Sequence, residues 1–93
     1  MIVNFADKQT KKVWEGAKTK EWHQDIQRMA LRKLLMIQAA EDVKDLMIPP
    51  GNRLHKLKGE LKDFWAIRIN DQWRIIFKWI DNNAHDVQII DYH

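Results

Sequence analysis

Cysteine is absent from this 93-residue chain, which removes a disulfide, a thiol nucleophile and a zinc–thiolate centre and fits a reducing cytoplasm. Glycine occurs only at Gly16, Gly51 and Gly59, too scattered for a phosphate-cradling loop ahead of a helix. No apolar run approaches the ~20 residues of a membrane span. The stretch "MIVNFADKQTKK" lacks the basic segment and long apolar run of a signal peptide. His-Glu-x-x-His and cysteine-based ligand spacings are missing. His85 and His93 share strand parity but stand eight residues apart, too far to ligate one ion from one strand. No metal, no other cofactor and no membrane partner are therefore expected. The formal net charge is only +3, which points weakly to an anionic partner.

What the chain does have is a core. Apolar residues make up 45% of it, and five are Trp, which places it far from the composition of disorder and sets one domain over residues 1–93. The short β-prone "IVNF" predicts a first strand. Asp7 is placed to cap a helix through Val13 and Trp14 that stops at Gly16. Thr19 is expected to open a longer helix towards Ala40, with Trp22, Ile26, Met29, Ala30, Leu34, Ile37 and Ala40 on one arc. Leu31 and Leu35 fall outside that arc, where they could meet the first helix. Pro49 and Pro50 end the helical half, and Gly51 and Asn52 suit a turn.

Three β signals follow, "FWAIRI", "WRIIFKWI" and "HDVQII", separated by connections short enough for hairpins. Helices followed by an antiparallel meander predict an α+β domain with the helices on one face of the sheet. Strand alternation sends Trp73, Ile75, Phe77 and Trp79 one way and Arg74, Ile76, Lys78 and Ile80 the other. In the last strand Val87, Ile89, Asp91 and His93 share a face, opposite Gln88, Ile90 and Tyr92. Arg74 sits between apolar residues, where a charge must be paired or used. A structural ion pair and a catalytic role both satisfy that requirement.

Between Arg53 and Lys62 the chain carries Arg53, Lys56, Lys58 and Lys62, with His55 and one acid, Glu60. A solvated basic loop would explain this cluster if it stood alone. Together with Arg74 and the closing Asp91, Tyr92 and His93 it forms a set suited to cutting RNA through its own 2′-hydroxyl. That reaction needs a base for the 2′-OH, cations on the phosphorane and an acid for the leaving 5′-oxygen. A basic, aromatic RNA-binding module with Trp65 or Tyr92 stacked on a base fits the same composition.

"PPGNRLHKLKG", "WAIRINDQWRIIFKW" and "DVQIIDYH", in that order, resemble the HigB toxins, the killer-protein branch of the RelE superfamily of toxin–antitoxin systems. The resemblance implies a RelE-like microbial ribonuclease fold, with an N-terminal strand and helical hairpin on a small antiparallel sheet. It also implies an endoribonuclease that cleaves translated mRNA in the ribosomal A site, arresting translation and growth. The implied partners are a HigA-type helix-turn-helix antitoxin, the 70S ribosome with its mRNA, and operator DNA through the antitoxin complex alone. Carried onto this chain, the implied catalytic positions are His55, Lys58, Arg74, Asp91, Tyr92 and His93. Arg53, Lys56, Lys62 and Trp65 are the candidate RNA contacts. His93 is expected to move protons with Asp91 orienting its ring, Tyr92 to stack on the nucleotide, and Lys58 and Arg74 to hold the phosphate. Many relatives carry Glu where this chain has His55, and often a basic residue where it has Leu61. The alternative is a non-catalytic protein that binds RNA or antitoxin through the same surface.

Overall fold

The structure, a computed structural model, describes residues 1–92; the expected roles of His93 lie outside the described residues. Among the described residues two helices, α1 (Lys8–Trp14) and α2 (Gln24–Ala39), precede a four-stranded antiparallel sheet. The strands are β1 (His55–Lys56), β2 (Phe64–Arg68), β3 (Trp73–Ile80) and β4 (Asn83–Asp91), adjacent in chain order. This is the expected α+β arrangement. Asp7 caps α1 as read from the sequence, accepting from the Thr10 amide at 2.6 Å. Gly16 follows α1 in the left-handed region (φ 79°), which an L side chain would resist. The buried Thr10 hydroxyl donates to Asp7 and accepts the Ile89 amide at 3.1 Å, so the start of α1 is tied to β4.

α2 begins four residues later than its periodicity predicts. The side-chain amide of Gln27 bonds the carbonyls of Thr19 (2.9 Å) and Trp22 (2.7 Å), holding that stretch as an ordered loop. His23, not Thr19, caps the helix, its Nδ1 accepting from the Asp25 amide at 3.2 Å. Of the expected stripe Ala30, Leu34, Ile37 and Ala40 are buried and Trp22 and Ile26 pack at the edge of the core, but Met29 is exposed; outside the stripe, Leu31 packs against the core and Leu35 is exposed. Truncating Leu34, fully enclosed, to Ala is expected to cost about 2–5 kcal/mol.

The "IVNF" segment does not form a continuous strand. It meets β4 through two isolated parallel bridges, Ile2 with Ala84 and Phe5 with Val87. Between them β4 bulges at Asp86, whose φ of 53° interrupts regular pairing. The β2–β3 loop is closed by Asn70, whose side-chain oxygen accepts the amides of Gln72 (2.9 Å) and Trp73 (2.8 Å). The β3–β4 connection is a two-residue turn with Asp81 and Asn82 both at positive φ, the geometry that matches sheet twist.

Ile75, Phe77, Val87 and Ile89 enter the core with the buried positions of α1 and α2, as parity requires. All five Trp residues border that core; Trp22 meets Trp73 edge-on at 6.2 Å. The other face of the sheet carries Arg74 and Arg68 beside the buried Ala66 and Ile76.

Candidate active site

β1 pairs with β2 so that His55 stands opposite Ala66, and β2 pairs with β3 so that Ala66 stands opposite Ile76. Residues on that row share the face turned away from the helices. On it β3 presents Arg74, and its directly opposed neighbours are Arg68 of β2 and Ile90 of β4. Tyr92 follows β4 on the same side, held by its amide to the Gln72 carbonyl at 2.7 Å.

Three residues from three separate parts of the sheet meet there. The Arg74 guanidinium lies 4.7 Å from the centre of the Tyr92 ring, and the His55 ring stands edge-on to Tyr92 at 6.0 Å. A cation over an aromatic face is attractive, more so where water is excluded. Arg74 is only 8% exposed, and its Nη1 donates to the Asn70 and Trp73 carbonyls. Its Nε has no hydrogen-bond partner among the described residues. Burial pushes the Arg74 guanidinium below its ordinary pKa, and the Arg68 charge adds to that push. A cation so placed is poised for an anion.

His55 is oriented by local backbone. After the turn Pro50–Asn52, Arg53 adopts the left-handed conformation (φ 48°), uncommon for a residue with a side chain. Its carbonyl lies 2.8 Å from His55 Nδ1. A carbonyl can only accept, so that contact puts the proton on Nδ1 and leaves Nε2 as the lone pair of the neutral ring. Nε2 is covered and has no partner among the described residues. Beneath Arg53, the fully buried Asn52 donates to the Leu46 carbonyl at 3.2 Å and accepts from Lys33, fixing the loop against α2.

The other sequence-derived positions divide. Lys58 is exposed just beyond β1, where the chain turns at Gly59–Leu61, and Lys62 is exposed at the end of that turn. Arg53 is exposed and within electrostatic range of Arg74. Asp91 stands opposite Trp73, so alternation sends it towards the helix side, and it accepts from the Gln72 side chain at 3.2 Å. Its expected pairing with His93 lies outside the described residues. Lys56 and Trp65 are not brought to this face. They oppose each other on the helix side, where Trp65 borders the core and the Lys56 ammonium caps its ring at 5.5 Å.

Arg68 is the residue that the sequence reading passed over. It lies directly across from Arg74, bonds Asp71 at 2.5 Å, and leaves its Nε without a partner among the described residues. The signal was present in "RINDQWR": a hairpin closed at Asn70 pairs the two arginines.

Comparison with known proteins settles the lineage. Residues 3–93 match a family described as the RelE-like toxin of the type II toxin–antitoxin system HigB. The chain belongs to the HigB-like toxin family. It is 40% identical over 85 residues to Toxin HigB-1 of Vibrio cholerae, covering 90% of each chain. It is 34% identical, over the full length of both, to the Endoribonuclease HigB of Proteus vulgaris. Membership in the HigB-like family makes this chain the toxin half of a pair, with an antitoxin as partner. Among the described residues no helix is long and apolar enough to cross a membrane.

Proposed function

We propose that this HigB-like toxin is an endoribonuclease that cuts mRNA while it is being translated, without a metal, and so halts translation and growth in the cytoplasm. What supports this above all is the meeting of His55, Arg74 and Tyr92 on one sheet face. In the reaction a base removes the 2′-OH proton, and the 2′-oxygen bonds to the adjacent phosphorus. The bond from phosphorus to the 5′-oxygen then breaks, leaving a 2′,3′-cyclic phosphate, and an acid returns a proton to the 5′-oxygen. Arg74 and Lys58 offset the charge of the phosphorane. His55, protonated on Nδ1, offers Nε2 as the base once the substrate displaces its cover. His93 is assigned the leaving-group proton and Tyr92 the stacking on the nucleotide, while Asp91, at the end of β4 with its side chain towards the helix side, orients His93 from that side of the strand. The ribosome aligns the 2′-OH in line with the phosphate, an orientation effect worth several kcal/mol.

The antitoxin of this reading is a HigA-type helix-turn-helix protein, and operator DNA is reached only through the complex with it. Arg53 and Lys62 are the surface cations left to steer the RNA. Purified toxin should cleave mRNA on programmed ribosomes far faster than the same transcript in free solution. Equal rates on both would overturn the ribosome requirement. Binding to ribosomes or antitoxin without any cleavage would establish the interaction-protein alternative instead.

A further inference from the structure

The field around Arg68 extends beyond the site just described. Between α2, the turn at Gly51 and the end of β2 lies a concavity of about 220 Å³, lined by Met29, Arg32, Lys33, Gly51, Arg68 and Ile69. Three of those six residues are cations. Burial holds the Lys33 ammonium below its ordinary pKa, and the charges of Arg32 and Arg68 depress it further. Arg68 also stands directly across from Arg74, and like charges so opposed on neighbouring strands destabilise a sheet. Asp71 is the acid hydrogen-bonded to Arg68, and its own side chain is 97% exposed. That hydrogen bond holds the Asp71 carboxyl below the usual carboxylate range. Arg32 is exposed and Asp71 answers one of the charges, so the hollow presents a net positive surface, on which the buried Arg68 Nε has no partner among the described residues; that setting suits an anion.

We propose that this concavity seats a phosphate of the RNA substrate other than the scissile one. The strand would then run from Arg74 and Tyr92 across Arg68 to Arg32 and Lys33 on α2. Arg68 is the hinge of this path, because its charge reaches both Arg74 and Lys33. Asp71 acts as a stand-in for the phosphate, holding Arg68 until the RNA displaces it. Lys33 is also bonded to the buried Asn52, so it fixes the floor of the hollow. The inference rests on the ribonuclease reading for its choice of RNA over another anion.

The test is binding of a short single-stranded RNA with 2′-O-methyl riboses, which cannot be cut, by the full chain across a range of KCl concentrations. Arg32→Ala and Arg68→Ala should each weaken binding roughly tenfold, the scale of one hydrogen bond to a charged group. Each should also flatten the slope of log affinity against log salt by about 0.7, the value for one lost phosphate contact on a single strand. Asp71→Asn should tighten binding by freeing Arg68. Wild-type affinity and slope in both arginine variants, with melting temperature preserved, would overturn the proposal. So would weaker binding by Asp71→Asn. If the variants bind the oligonucleotide normally but no longer sediment with vacant ribosomes, the phosphate belongs to ribosomal RNA and the substrate assignment fails. If they lose affinity only for an acidic peptide, the hollow serves a protein partner and the assignment also fails. Because the probe cannot be cut, failure of the ribonuclease reading is seen separately, as absence of cleavage by the wild type on programmed ribosomes.

Discussion

Arg74 carries two loads that substitution can separate. Arg74→Ala removes the donor of two hydrogen bonds to the Asn70 and Trp73 carbonyls at the β2–β3 loop. Hydrogen bonds from a charged group are worth about 1.5–3 kcal/mol each. Removing a cation that burial and the Arg68 charge both disfavour recovers part of that loss. The net expectation is destabilisation of about 2 kcal/mol, or roughly 8–16 °C in melting temperature for a domain of this size. Independently, loss of one group that stabilises developing negative charge slows the chemical step by roughly 100- to 1,000-fold. The assay is single-turnover cleavage of mRNA on programmed ribosomes at a temperature where circular dichroism shows the variant folded. Arg74→Lys keeps the charge but not the planar fork that serves two carbonyls, so it should recover more activity than stability. Full activity per folded molecule in Arg74→Ala would refute the catalytic assignment and leave Arg74 as a loop clamp.

Lys58→Ala should slow cleavage by roughly one to three orders of magnitude while leaving the melting temperature unchanged, since Lys58 is exposed; normal cleavage would exclude it from the phosphate site. His93→Ala should abolish cleavage and toxicity but leave antitoxin binding intact, and a fully toxic variant would remove His93 from the mechanism. Asp86, held below its ordinary pKa of 3.8 by hydrogen bonds from Asn4 and Lys78, contributes stability above that pH. The contribution is lost as pH falls through the depressed folded value, so Asp86→Asn should flatten the acid limb of a melting-temperature titration. An unchanged acid limb would show that the Asp86 charge adds nothing to folding.

The sheet was legible because its strands obey a simple alternation. Trp73, Ile75 and Phe77 against Arg74 and Ile76 fix which face each residue takes, and short polar loops fix the meander. Elements held by single side chains were not legible. The start of α2 is set by Gln27 reaching back to Thr19 and Trp22, a contact that no periodicity contains. β1 is two residues long and exists only because Ala66 and Trp65 offer it an edge. The basic cluster of Arg53 to Lys62 read as one surface, yet strand parity splits it. His55 faces the site and Lys56 faces the helix side, where it covers Trp65. Arg68 was missed for the opposite reason. An arginine closing a strand looks like an ordinary surface residue until the hairpin register sets it against Arg74.

The same register explains why so small a chain can hold a dispersed site. Candidate side chains take their orientation from buried residues of their own strands: Arg74 lies between Trp73 and Ile75, and Tyr92 follows the strand in which Val87 and Ile89 enter the core. A slip of one residue in β3 would drive Arg74 into the core and take Ile75 and Phe77 out of it. Burying those two side chains is worth about 3–6 kcal/mol, comparable to much of the stability of a small domain. The hydrophobic pattern therefore holds the cation in place together with its own hydrogen bonds, by a comparable amount. That leaves the guanidinium chemistry adjustable, because its partners lie in the β2–β3 loop and beyond β4 rather than in the core. Asn70, Asp71 and Gln72 occupy one short loop, yet they bond Arg74, Arg68 and Asp91 respectively. Changes in that loop can thus retune charge across the whole face without disturbing the packing that positions it.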